Sequence, residues 1–163
     1  MSYHQTIQTE AQYVDNLGFS ATEDKFRAIY RAVLSHWFPT SRGYIIDHQV
    51  QGEGGESSFT VIRHAGGHRH PLLIVKLKRP SNWSTAGQNE VWSDLQTYIE
   101  GQFEHTRYNT IYGVGGIGLH WMACKMEASG GPPALVQDWQ TNIASDTSYT
   151  QFQAIADLVY NTI

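Results

Sequence analysis

The chain has little of what marks disulfide-rich, membrane or polycationic proteins. It has one cysteine, Cys124, among 163 residues, so an internal disulfide framework is excluded. No stretch approaches the ~20 apolar residues that a membrane-spanning helix needs. The N-terminal sequence MSYHQTIQTE lacks the charged start and the apolar run of a signal peptide. The formal net charge of −4 gives no overall attraction to nucleic acid. We therefore expect a soluble intracellular protein, of the cytoplasm or the nucleus, with no membrane association.

The basic residues that are present are concentrated. Of the 11 lysines and arginines, five fall in one short window: Arg63, Arg69, Lys76, Lys78 and Arg79. Residues 71–80 read PLLIVKLKRP, an apolar strand-like run that ends in two lysines at a spacing of two. Because residues i and i+2 of a strand share a face, Lys76 and Lys78 should project together, and Val75 and Leu77 the other way. The apolar run favours a central strand over a solvated edge strand. The pattern predicts a local cationic site.

Hydrophobic periodicity predicts an α/β protein of a single domain, residues 1–163. A helical pattern covers 26–37, with Ser20 and Glu23 as a capping box before it and Pro39 after it. Three strand-like runs, at 44–51, 58–64 and 72–78, then form a meander. A second helical pattern covers 86–103, followed by strands at 110–114 and 119–126.

Residues 129–133, SGGPP, read as a loop, and Ser148 with Gln151 predicts the start of a last helix. The expected order is αβββαββ plus a C-terminal helix. We expect the segment after residue 127 to cover one face of the sheet.

This order, with a charged pair ending the third strand, resembles the core of the PD-(D/E)XK nuclease superfamily over residues 21–126. Members carry an Asp on the second core strand and an acid-x-Lys motif on the third. The resemblance implies a restriction-endonuclease-like core, a mixed central sheet flanked by helices, with 127–163 as an extension. It assigns Asp47 as the strand acid, Lys78 as the motif lysine, Glu23 as an accessory acid and Gln96 as an accessory polar residue. Lys76 departs from the pattern, because it stands where the family has its second acid.

The chain is also similar to a group of uncharacterised fungal proteins. The shared segments are IIDHQV, FTVIRHAG, LLIVKLKRP, YGVGGIGLHW and DTSY. This second resemblance brings no established activity.

The resemblance implies Mg²⁺ as a candidate cofactor, held by carboxylates beside the lysine, which would orient water and stabilise charge on a phosphate. A cation in place of one acid removes a ligand, and two unit charges ~4 Å apart repel by roughly 4 kcal/mol at an effective dielectric near 20. Asp47 and Glu53 are the candidate metal ligands. Glu56, Glu90 or Asp94 could supply the missing acid.

Three functions stay open. The first is binding of nucleic acid or another anionic ligand through a pocket containing Lys76 and Lys78. The second is an active Mg²⁺-dependent nuclease with a relocated acid, and the third is a protein–protein interaction domain. Each site residue also has a structural interpretation: Asp47 in an ion pair with the lysines, Glu23 as a helix cap, and Gln96 facing solvent.

Other motifs favour structural roles. His64, His68 and His70 could ligate zinc, but three neutral ligands without a cysteine favour a surface turn. Residues 113–118, GVGGIG, match GxGxxG, but a strand follows them where a dinucleotide fold needs a helix. We expect Cys124 to be a buried, inert thiol and the aromatic residues Tyr112, Trp121 and Trp139 to belong to the core.

Overall fold

The computed structural model describes residues 1–51 and 56–163. These residues form four α-helices and six β-strands. The helices are α1 (Gln5–Asp15), α2 (Arg27–Trp37), α3 (Thr85–Gln102) and α4 (Asp146–Thr162). The strands are β1 (Tyr44–Gln51), β2 (Glu56–Ala65), β3 (His68–Lys78), β4 (Thr110–Ile117), β5 (His120–Glu127) and β6 (Ala134–Gln140). Within the described ranges, no helix is long and apolar enough to cross a membrane.

The six strands form one mixed sheet whose spatial order follows the chain, from β1 to β6. Neighbouring strands are antiparallel except β3 and β4, which are parallel. A parallel pair needs a crossover connection, and α3 provides it. β3 is therefore a central strand, as its apolar run predicts, and its residues from His70 to Lys78 are buried.

Each face of the sheet is covered by different helices. One face packs against α1, α2 and α4 in a core that extends in sequence from Tyr3 to Val159 and includes Val75 and Leu77. The other face packs against α3, through a smaller cluster that contains Ile74, Val91 and Leu95. The second face is the one that carries the site described below.

The α/β class and the order αβββαββ with a final helix are confirmed for the segments that the periodicity identified. Two elements were not predicted. In α1 only Ala11 and Val14 are buried, and β6 is an edge strand that is at most half-buried, so both give a weak hydrophobic pattern. The C-terminal segment contributes β6 to the sheet edge and α4 to the first face, where the Trp121 Nε1–H donates to Ser148 Oγ over 2.9 Å.

Both predicted capping boxes are wrong. Ser20 Oγ donates to the Leu17 carbonyl, and a short 3₁₀ turn, Glu23–Lys25, separates it from α2. Helix α4 begins one turn earlier than predicted, with Ser145 as the cap that accepts from the Ser148 amide. Serine is common at both caps and turns, so its position alone does not fix a helix start.

The GVGGIG segment lies in β4 and in the tight turn before β5, which confirms the strand interpretation. Gly113, Gly115 and Gly116 allow close packing, since a Cβ at Gly115 would overlap Val91 and one at Gly116 would overlap Tyr30. Gly118, at φ +58°, forms the turn itself.

Candidate functional site

The two lysines of β3 lie together on the α3 face of the sheet, as the strand alternation predicts. Both are buried: Lys76 is 2% exposed and Lys78 is 4% exposed. Long charged side chains are rarely buried to this degree unless they are paired, so their surroundings define the site.

Helix α3 supplies the acids that contact Lys78. The Lys78 Nζ lies 3.3 Å from Asp94 Oδ2 and 3.4 Å from Glu90 Oε2. Glu90 and Asp94 are four residues apart, so they lie one above the other on the same helix face. They are two of the acids that the sequence offered as replacements for the missing motif acid. In the structure they pair with the lysine.

The neighbours of Lys76 include an aromatic ring and a residue with a hydroxyl group. Its Nζ lies 4.6 Å from the centroid of the Tyr98 ring, a cation–π contact. Tyr98 follows Asp94 by four residues, so the same face of α3 covers both lysines. On β2, the residue in register with Lys76 is Ser58, which is also buried. Ser58 and Lys76 are thus direct neighbours across two strands.

Asp47 is not brought to the lysines. It lies on β1, in register with Thr60 of β2 and thereby with Ile74 of β3. Asp47 is two strands away from Lys78 across the sheet, at ~4.8 Å per strand, and four residues away along the strand direction, at ~3.3 Å per residue. Their backbones are therefore about 16 Å apart. Its carboxylate is instead 3.8 Å from Arg69, and both side chains are well exposed. The predicted adjacency of Asp47 and the lysine strand is wrong because β2 lies between them.

Ser58 of β2, and not Asp47 of β1, is therefore the residue in register with Lys76. The described residues fit Mg²⁺ poorly, since the remaining carboxylates, Glu90 and Asp94, already contact an ammonium group. Glu53 lies outside the described residues.

Glu23 lies at the opposite face of the sheet. It is buried in the 3₁₀ turn before α2 and pairs with Arg27, Oε1 to Nη2, at 2.7 Å. It is near enough to His48 to affect the pKa of that imidazole. His48 is in register with Phe59 and stacks on its ring at 4.8 Å, on the α2 side. Glu23 therefore forms an ion pair with Arg27, on the face of the sheet opposite Lys78.

The surroundings of His48 on the α2 side lower its pKa and so favour its neutral form. Burial lowers the pKa of His48 first, and the positive charges of Arg27 and Arg31 lower it further, against smaller opposing effects of Glu23 and Asp47. The strand alternation correctly placed His48 and Asp47 on opposite faces.

Gln96 also points away from the lysines. It follows Asp94 by two residues and precedes Tyr98 by two, a rotation of about 200° on a helix with 3.6 residues per turn. Its Nε2–H donates to Glu100 Oε1 over 3.2 Å along the outer surface of α3. This geometry is that of a solvent-facing residue.

A polar cleft adjoins the buried Lys76. Its volume is about 380 Å³, and its lining includes Gln49, Thr60 and Arg69 from the sheet and Tyr98 and Gln102 from α3. Asp47 and His105 complete the polar lining. Because Tyr98 contacts Lys76 and also lines the cleft, the cleft lies next to Lys76.

The remaining sequence motifs do not join this site. His64 is in register with Arg69, whereas His68 and His70 are on the alternate face of β3, with ring centroids 6.1 Å apart. The three histidines therefore do not converge. Cys124 is fully buried beside Gly113, and burial raises the pKa of its thiol to about 12, so it stays protonated and unreactive at neutral pH.

Two residues of the site were missed by sequence reasoning. Tyr98 could have been found, because Glu90, Asp94 and Tyr98 repeat at the helical spacing of four. Ser58 carries no local signal, and only the register between β2 and β3 places it beside Lys76.

No family model, curated protein or solved structure matches this chain. Its function must be inferred from the arrangement of Lys76, Lys78 and the residues around them.

Proposed function

We propose that the protein is a nuclease-like module without nuclease chemistry, which binds a phosphate-bearing ligand, foremost nucleic acid, at the cleft beside Lys76 and Lys78. The observation that carries this proposal is the direct pairing of Ser58 with Lys76 on neighbouring strands. Where the resembled family needs two carboxylates for a metal, this pair offers a hydroxyl and a cation. An intracellular location is part of the same proposal, since nucleic acid is found there.

The chemistry of these groups suits an anion. Phosphate oxygens accept hydrogen bonds, and Ser58, Lys76 and Arg69 all carry donors. Arg69 is well exposed at the cleft, so it can meet a ligand from solvent, while the buried lysine acts mainly through its charge.

The contacts of Lys78 with Glu90 and Asp94 determine how a ligand would reach its ammonium group. Glu90 is 65% exposed, so its side chain can rotate into water without loss of burial. An anion could then take the place of one carboxylate at the Lys78 ammonium. Asp94, at 36% exposure, is held closer to the sheet and would stay paired.

Salt-dependent binding tests the proposal. Fluorescence anisotropy of labelled single-stranded DNA, single-stranded RNA and duplex DNA would be measured at several salt concentrations. We expect binding that weakens with salt, and Lys76→Met should weaken it and reduce the salt slope by less than the ~1 of a direct phosphate contact, because the buried lysine acts through its charge. Lys125→Met is the matched control, because Lys125 lies on β5 and pairs with Glu127. Thermal unfolding of each variant verifies that it is folded.

Metal and cleavage measurements address the two alternative functions. Mg²⁺ and Mn²⁺ would be titrated by calorimetry, with cleavage of the same nucleic acids scored in parallel. Metal binding and cleavage that are both lost in Glu90→Gln/Asp94→Asn would overturn the proposal in favour of a metal-dependent nuclease with relocated acids. Absence of any response to nucleic acid, inorganic phosphate or metal would also overturn it and leave a protein–protein interaction domain.

A further inference from the structure

A second cavity, of about 240 Å³, lies beyond the C-terminal end of β3. It is bounded by the turn Gly18–Ser20, which follows α1, and by the segments that follow β3 and β4. Its lining includes Asp15, Phe19, Pro80, Trp83, Ile117 and His120. We call it the aromatic pocket.

Two parallel rings form one wall of the aromatic pocket. Trp83 and His120 stack with their centroids 3.7 Å apart and their planes at 4°. A further ring, Trp139, makes a T-shaped contact with Trp83, with the centroids 5.3 Å apart and the planes at 74°. Burial lowers the pKa of His120, so the stacked imidazole is neutral at neutral pH. The wall is therefore a flat, uncharged aromatic surface.

The turn that carries His120 is held rigidly. The Gly118 amide donates to the Lys78 carbonyl, and the Ile143 amide donates to the Leu119 carbonyl, each over 3.0 Å. The hydroxyl of the buried Tyr30 lies 2.9 Å from the Gly118 carbonyl and 3.2 Å from the His120 carbonyl. A wall fixed at this many points is preformed for a ligand, which reduces the entropy cost of binding.

The lining of the aromatic pocket also includes an apolar ring and an acid. Phe19 is 72% exposed, a large apolar side chain that the core does not use. Asp15 lies at the end of α1 and supplies a carboxylate that accepts hydrogen bonds.

We propose that the aromatic pocket binds a nucleobase. A planar base adds to parallel rings by stacking, and its N–H groups can donate to the Asp15 carboxylate. Because Trp83 and His120 stack directly on each other, a base would add to an outer face of the pair rather than enter between the rings. The base can belong to a free nucleotide or to a single strand.

The inference rests on the proposed function for the phosphate of the nucleotide, which would bind at the lysines. Ile117, in the lining of the aromatic pocket, is in register with Lys78 on the parallel neighbouring strand. Their backbones are thus one strand spacing apart, ~4.8 Å. A nucleotide whose base lies in the aromatic pocket can direct its phosphate towards Lys78.

Calorimetric titrations with adenosine, adenosine monophosphate and a single-stranded oligoadenylate test the proposal. Phe19→Ala is the main variant, because Phe19 is exposed and its loss should not affect folding. Trp83→Ala is the second variant, and Trp92→Ala is its control, since Trp92 is a partly buried tryptophan on α3 outside the pocket lining. Loss of a base stack should weaken adenosine binding roughly 5- to 150-fold in the first two variants and leave it unchanged in the control.

The outcomes separate this inference from the proposed function. Adenosine binding that is weakened by Phe19→Ala but not by Lys76→Met supports the aromatic pocket, and the tighter of the two phosphorylated probes then identifies a free nucleotide or a single strand. Oligonucleotide binding that depends on Lys76 but not on Phe19 or Trp83 would refute the pocket and keep the proposed function. If adenosine binding is undetectable, or is unaffected by both pocket variants, the inference is overturned.

Discussion

Removing the two carboxylates at Lys78 should destabilise the protein in a way that can be reversed by removing the lysine. Lys78 is 4% exposed, and its ammonium contacts Asp94 and Glu90 at 3.3 and 3.4 Å. Taking away one partner of a buried ion pair costs about 3 to 5 kcal/mol, whereas an exposed pair contributes ~0 to 1 kcal/mol. Glu90 is the more exposed partner, so Glu90→Gln alone should cost less than about 1 kcal/mol. Asp94→Asn should cost roughly 1 to 3 kcal/mol, and the double variant about 3 to 5 kcal/mol.

The matching prediction is rescue by Lys78→Met. Methionine keeps the apolar stem of the side chain but carries no charge, and uncharged replacements of buried ion pairs are often neutral or stabilising. The triple variant Lys78→Met/Glu90→Gln/Asp94→Asn should therefore return to within about 1 kcal/mol of the parent protein.

Urea unfolding followed by circular dichroism measures both effects. For a chain of this size, the double variant should also lower the melting temperature by about 6 to 20 °C. The reasoning is refuted if the double variant costs less than ~1 kcal/mol, or if the triple variant is no more stable than the double.

Three further predictions concern packing, reactivity and pH. Gly115→Ala should lower the free energy of unfolding by about 1 to 3 kcal/mol, because its methyl group would overlap Val91. Gly101→Ala is the control: no described atom lies within 4 Å of its methyl group, so it should raise the free energy of unfolding by at most ~1 kcal/mol, measured in the same urea titration. Cys124 should resist a thiol reagent at pH 8 and react only in denaturant, because burial raises its pKa to about 12; labelling of the native protein at an appreciable rate would contradict its burial. Burial also lowers the pKa of His36, so protonation favours the unfolded state and stability should fall as the pH drops below ~6.5, the unfolded value. His36→Gln should lessen that loss in unfolding measured from pH 7 to pH 5, and an unchanged pH profile would argue against it.

Local patterns were sufficient for the helices and strands other than α1 and β6, and for placing the two lysines on one face of β3. Alternation along β3 put Lys76 and Lys78 on one face, and the register of β3 and β4 confirms that this strand is central. The helical spacing of Glu90 and Asp94 allowed them to face the sheet, and α3 does turn them towards Lys78. These features follow from the periods of strand and helix, which are properties of neighbouring residues in the sequence.

The partners of Lys76 were not predictable in this way. Ser58 and Asp47 both lie on strands of the meander, with side chains on the face of Lys76, and only the strand order and register place the serine beside the lysine. The position of Gln96 relative to the lysines depends on the rotation of α3 about its axis. The position of Glu23 depends on which face of the sheet α2 covers.

By itself, the sequence determined an α/β protein with two lysines on one face of a buried strand and two acids on one face of a helix. The tertiary structure decided that both acids contact Lys78, that Ser58 rather than Asp47 adjoins Lys76, and that Trp83 and His120 stack beside the end of β3. The physical reason is that a strand fixes the face of each side chain locally, whereas the packing of distant segments selects its neighbours. A change of one residue in register would have reversed every face assignment, so burial of the core fixes the site together with the fold.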